Sequence, residues 1–208
     1  KIGLCLMLTG ISAYYTYSQN ILNLIFIGFI GGFIIALITI FKKEWSPYTV
    51  PIYAVLEGLA LGGISAIYEH QYTGIAQQAI FLTFGILATL LFAYKSKIIK
   101  PTENFKLGLF AATGGIFLIY FINFIMSFFG GGIPVIHSNG TFGILFSFGV
   151  VIIASLNLVL DFDFIEEGAE LGAPKYMEWY SAFGLLITLI WLYLEILRLL
   201  AKLQSRRN

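Results

Sequence analysis

Four ionisable residues lie within stretches apolar enough to enter a membrane: Glu57, Asp161, Glu195 and Arg198. Each costs about 2.5–3.5 kcal/mol at the centre of a membrane helix, so it normally faces a partner or water. A carboxyl so placed can carry a proton, pair with a cation or offer hard oxygen to a passing ion. Glu57 stands in "YAVLEGLALGG", where Ala54, Gly58, Leu61, Gly62 and Ser65 surround it on a helical projection. That small face predicts an interior position. Two roles fit it: a protonated acid hydrogen-bonded to a neighbouring helix, or a group that handles protons or cations.

Asp161 closes a stripe at helical spacing, Ser147, Val150, Ala154, Asn157 and Asp161, with the last two one turn apart. The stretch "LVLDFDFIEEGAELG" contains two different features. Asp161 belongs to the inward stripe. Asp163 points roughly the opposite way and groups with Glu166, Glu167 and Glu170 in an acidic collar, predicted to lie in a hydrated loop. Such a collar is either plain solvated surface or a pore mouth that concentrates cations. A third stripe runs Ser181, Gly184, Thr188 and Glu195, with Arg198 three residues on. Arg198 can pair with Glu195, or snorkel to the headgroups from near the helix end. Carboxylates coupled to one another or to Arg titrate as a set, which could switch a bundle with pH.

Elements of one kind must position these groups. The chain has 208 residues, 59% hydrophobic and 11% charged, with mean hydropathy +0.89, outside the range of soluble domains. A span needs about 20 apolar residues. Seven hydrophobic segments are predicted, at 2–17, 21–41, 50–68, 76–94, 107–129, 142–162 and 181–200. This is an all-α membrane protein, a single multi-pass domain over 1–208 with no soluble catalytic domain. The abrupt start at Lys1 within an apolar pattern suggests a first helix missing its beginning, not a signal peptide. Cys5 is the one cysteine, so no disulfide forms within the chain.

Lys42 and Lys43 in one loop, and Lys95, Lys97, Lys100 and Lys106 in another, place those loops in the cytoplasm. By alternation the N-terminus and the acidic 163–178 loop join them. Seven spans then put the C-terminus outside, against the preference of Arg198, Lys202, Arg206 and Arg207, so the side of the tail stays open. Small-xxx-small spacings at Gly28/Gly32, Ala54/Gly58/Gly62, Gly108/Ala112 and Ala111/Gly115 predict close helix packing, within one bundle or across a dimer. Oligomeric state does not follow from them.

No nucleotide loop, nucleophile elbow, metal-ligand pair or Cys/His cluster is present, so no enzyme, resident cofactor or firm metal site is expected. His70 and His137 fall in separate loops and are expected to be solvated. "NGT" at Asn139 is a three-residue match to a glycosylation acceptor and carries little weight.

Ser155 to Ile165 spell "SLNLVLDFDFI", and 178–200 read "EWYSAFGLLITLIWLYLEILRLL". On these segments the chain resembles the Bax inhibitor-1 family, in its bacterial, YccA-like branch, with weaker similarity over most of the length. The resemblance implies a seven-helix bundle with the last helix central, in the bacterial cytoplasmic (inner) membrane. It also implies a pH-sensitive leak for calcium gated by two facing aspartates, with Ca²⁺ as permeant ion. The first aspartate falls on Asp161. The second falls on Thr188, which cannot ionise, so the paired sensor is not intact in its usual form. Glu57 or Glu195 could supply the missing acid, and Lys42, Lys43 or Arg198 an ion-pair latch. The expected function is therefore a pH-sensitive cation leak. The alternative is a non-conducting partner of a membrane protease or other membrane complex, and a small-solute transporter ranks third for want of paired, interrupted helices. The lipid bilayer is the one certain surrounding, and no nucleic-acid partner is expected.

Overall fold

In a computed structural model, residues 1–19, 21, 23–133, 138 and 140–207 are described, the side chain of Arg207 excepted. The expected positions His137 and Asn139 lie outside them. The described residues are all-helical and hold seven long helices: α1 (Ile2–Gln19), α2 (Asn23–Phe41), α3 (Ser46–Gln71), α4 (Ile75–Lys95), α5 (Glu103–Phe128), α6 (Thr141–Glu170) and α7 (Lys175–Arg207). Six of the seven, all but α1, are long and apolar enough to cross a membrane. The tyrosines and polar residues of Tyr14–Gln19 hold α1 below them in hydropathy.

The elements outrun the apolar segments at polar ends, and one difference matters. The acidic stretch expected as loop continues α6 for two turns to Glu170. Solvated Glu and Ala favour helix there. The helix stops where a residue can turn left-handed: Gly172 has φ 63°. Its N–H donates to the Ala169 carbonyl, and that of Ala173 to the Gly168 carbonyl, a Schellman ending. Pro174 follows, and α7 begins at Lys175 rather than near 181.

Contacts sort the described residues into two units, one of 1–76 with 161–190 and one of 77–160 with 191–208. In the first unit α3 packs against both α1 and α2. Its small face, Ala54, Gly58 and Gly62, receives α1, whose buried stripe is Cys5, Thr9, Ser12 and Thr16. A Cβ at Gly58 would collide with Ser12 and the Thr9 backbone, and one at Gly62 with the Ala13 backbone. At this spacing short hydroxyls reach neighbouring backbone, and Thr9 donates to the Ala54 carbonyl at 3.0 Å. From α2, Gly28 would place a Cβ 2.5 Å from the Leu56 carbonyl oxygen, so glycine is required there too. Thr39 and Thr49 join α2 to α3 at 2.8 Å, and Ser46 donates to the Tyr176 carbonyl at 2.7 Å. The Glu69 carboxylate accepts from the backbone of Gly74 and Ala76, satisfying free donors at the start of α4.

In the second unit α5, α6 and the end of α7 are tied by polar side chains. The α5 spacings differ from expectation: Gly108 and Gly115 have open space where a Cβ would stand. Among the described residues the glycines of the α2 and α3 motifs meet another helix. α7 is one continuous helix. Its last turns lie beside the first turns of α6, with Lys202 donating to the Gly143 carbonyl at 3.1 Å.

Gly62→Ala is expected to destabilise the protein by about 1–3 kcal/mol, because the backbone of α1 must move. Gly85→Ala, with nothing within 4 Å of its new methyl, should be neutral or slightly stabilising. Thermal unfolding of both variants in detergent checks the pair.

Candidate functional site

Each intramembrane acid has a separate setting. In the first unit, Asp161 near the end of α6 faces α7. A Cβ on Gly184 would lie 3.4 Å from its Oδ1, so the missing side chain leaves the carboxyl room. Thr188, one turn on from Gly184, faces the same carboxyl, and its hydroxyl donates to the Gly184 carbonyl at 3.3 Å. Among the described residues, Asp161 Oδ2 is the one buried side-chain nitrogen or oxygen with no hydrogen-bond partner. A buried acceptor left unsatisfied costs about 1–3 kcal/mol, more if charged. A proton on that oxygen, or a cation beside it, would relieve the cost.

Glu57 is also in the first unit. Tyr53, one turn earlier on α3, lies beside it. Its Oε1 occupies the space above Gly32 of α2, 2.6 Å from where a Cβ would be. Tyr53 is 4% exposed and meets Phe183 of α7 edge-on at 4.9 Å. Glu57 therefore has a phenol for its neighbour and Asp161 a threonine, and no hydrogen bond joins the two acids.

Glu195 belongs to the second unit and is 2% exposed. Arg198 Nη1 donates to both its oxygens at 2.8 and 3.0 Å. The Tyr120 hydroxyl of α5 lies 3.0 and 3.1 Å from the same two oxygens, and 2.7 Å from Arg198 Nη1. This carboxylate is met by two donors and ties α5 to α7. One turn beyond Arg198, Lys202 is 5% exposed and donates to Ser147 at 2.9 Å as well as to Gly143. Higher on α6, the Asn157 amide donates to Thr113 of α5 at 2.8 Å and to the Ile153 carbonyl.

The remaining candidates lie at helix ends. Lys43 Nζ sits 5.1 Å from the centre of the Tyr180 ring, a cation–π contact rather than a carboxylate latch. Lys42 is exposed. Of the collar, Glu166, Glu167 and Glu170 are exposed and Asp163 is half-buried. Glu167 and Glu178 line an open cavity of about 720 Å³ between the α6–α7 turn and the start of α1, with Phe164, Met177 and Ser181. Among the described residues no three His, Cys, Asp or Glu side chains converge as a metal site.

The spacing of the seventh segment anticipated Arg198 as the partner of Glu195, and the family resemblance set Thr188 opposite Asp161. Tyr53, Tyr120, Thr113 and Lys202 as partners were missed. The available signal was polar residues at membrane depth one or two turns from an acid: Tyr53 precedes Glu57 by four residues, and Lys202 follows Glu195 by seven.

A family model described as Bax inhibitor 1 like matches residues 1–205. No curated protein and no solved structure matches the chain significantly.

Breaking the buried pair by Glu195→Gln should cost about 3 kcal/mol, because the guanidinium loses its counter-charge. Adding Arg198→Met to that variant should recover part of the loss. A double-mutant cycle on unfolding in detergent measures the coupling, and simple additivity would mean that the pair contributes nothing.

Proposed function

The chain belongs to the Bax inhibitor 1-like family and is a multi-pass membrane protein, and from that premise we propose that it is a pH-sensitive cation leak, non-enzymatic, with Ca²⁺ as the candidate permeant ion. The carrying observation is Asp161, a carboxyl with one buried, unpartnered oxygen against a glycine on the facing helix. Asp161 is the gate group. Thr188 stands where the family resemblance calls for a second aspartate, and it supplies a hydroxyl instead of a charge. The sensor then has one carboxyl: protonated, it can give its proton to a neighbouring oxygen, and ionised, it presents a negative charge to a cation.

Glu57 is a second protonatable group, beside Tyr53, whose ring meets Phe183 of α7. Glu195 with Arg198 and Tyr120 acts as a closed-state latch within α5 and α7. The acidic turns of α6 attract cations to the groove they line, without a tight site. We read α7 as the central helix of a seven-helix bundle in a bacterial cytoplasmic membrane. Half of its apolar window is buried, against 6% for α5, while α3 is buried to 56%.

Reconstituted into liposomes, the protein should pass Ca²⁺ or monovalent cations at a rate that changes between about pH 5 and 8, and Asp161→Asn should abolish that change. Thr188→Asp should restore a two-carboxyl response, steeper with pH than the native one. Folded protein with no flux above empty liposomes at any pH would sink the leak and turn attention to a protease or other complex bound in the membrane.

A further inference from the structure

We propose that the end of α7 and the start of α6 form a site for the phosphate of an anionic phospholipid, held by Lys202 between Arg198 and Arg206. Among the described residues the cluster holds one carboxylate, Glu195, and two buried or half-buried cations, Arg198 and Lys202. Arg198 is already bonded through Nη1 to Glu195. Lys202 instead donates to two neutral oxygens, the Gly143 carbonyl at 3.1 Å and the Ser147 hydroxyl at 2.9 Å. An ammonium has three donors, so those two bonds leave one over and leave its charge uncompensated by any hydrogen-bonded anion.

That placement is unusual for a lysine in the last turns of a membrane helix. Such a side chain ordinarily snorkels to the headgroups, yet Lys202 is turned inward and only 5% exposed. The fold holds a surplus positive charge at one spot where its stem could have let it leave. The physical remedy is an anion. Arg198 and Arg206, one turn to either side on the same helical face, add guanidinium donors suited to a phosphate. The Arg198 side chain is 35% exposed and Arg206 is exposed, so both are open to the approaching group. At the end of a membrane-length helix the local supply of phosphate is the lipid headgroup layer. A zwitterionic lipid brings its own cation, whereas an anionic one delivers net negative charge.

The test uses the full chain, delipidated in detergent. Phosphatidylglycerol, phosphatidylcholine and inorganic phosphate are titrated separately, with bound lipid counted by native mass spectrometry and stability followed by thermal unfolding. Phosphatidylglycerol should be retained and stabilising, phosphatidylcholine should not, and Lys202→Met should weaken the phosphatidylglycerol affinity about tenfold. Lys202→Arg should keep most of it, and Lys97→Met, a lysine remote in sequence, should change nothing. A response to inorganic phosphate alone would keep the phosphate site and assign it to the free anion; a response to the lipid alone assigns it to the headgroup. Equal binding of the two lipids, or phosphatidylglycerol binding unchanged in Lys202→Met, overturns the proposal. Should Lys202→Met fail to fold, the exposed Arg206→Gln decides: about threefold weaker binding supports the site, and unchanged binding overturns it.

Discussion

A bilayer offers no water to a polar group, so each one that enters must find its hydrogen bonds inside the protein. In the first unit that requirement is met by close approach at α3. The glycines at 28, 58 and 62 bring backbone against backbone, and only at that distance can a threonine or serine hydroxyl span from one helix to the next. Thr9 to Ala54 is a bond of this kind, while Thr39 to Thr49 and Ser46 to Tyr176 tie the first turns of α3 to α2 and α7. Small residues therefore do more than save space. They set the separation at which weak, short donors can replace solvent.

Against that background the acids divide into two kinds. Glu195 is met by a guanidinium and a phenol at both of its oxygens. Such a group ties helices together and resists removal of either partner. Asp161 faces a single hydroxyl and retains one buried oxygen without a partner. The absence of a side chain at Gly184 keeps space beside it. The proton or cation chemistry proposed above is assigned to the group that packing leaves unsatisfied.

Lys202 poses the converse problem. Its hydrogen bonds are good, but they end on neutral oxygens, so geometry is satisfied while charge is not. Asp161 lacks a donor and Lys202 lacks an anion. Under the two proposals above, a proton or ion would complete the first arrangement and a phosphate the second.

By itself the sequence determined the class and number of elements, because hydropathy over about 20 residues is a property of local composition. It also showed which faces carried acids and small residues, because helical spacing is local too, and Arg198 could be matched to Glu195 because the two share a turn. What lay beyond reach was set by neighbours distant in the chain. Tyr120 closes on Glu195 from 75 residues away and Lys202 reaches Ser147 across 55, and no periodicity encodes such meetings. The acidic collar became helix because capping by Gly172, not hydropathy, decides where α6 stops. The glycines of α3 pack while those of α5 face open space, though their spacings look alike in sequence. Only the tertiary structure decides which small face meets another helix, and with it which buried acid is satisfied and which is left free.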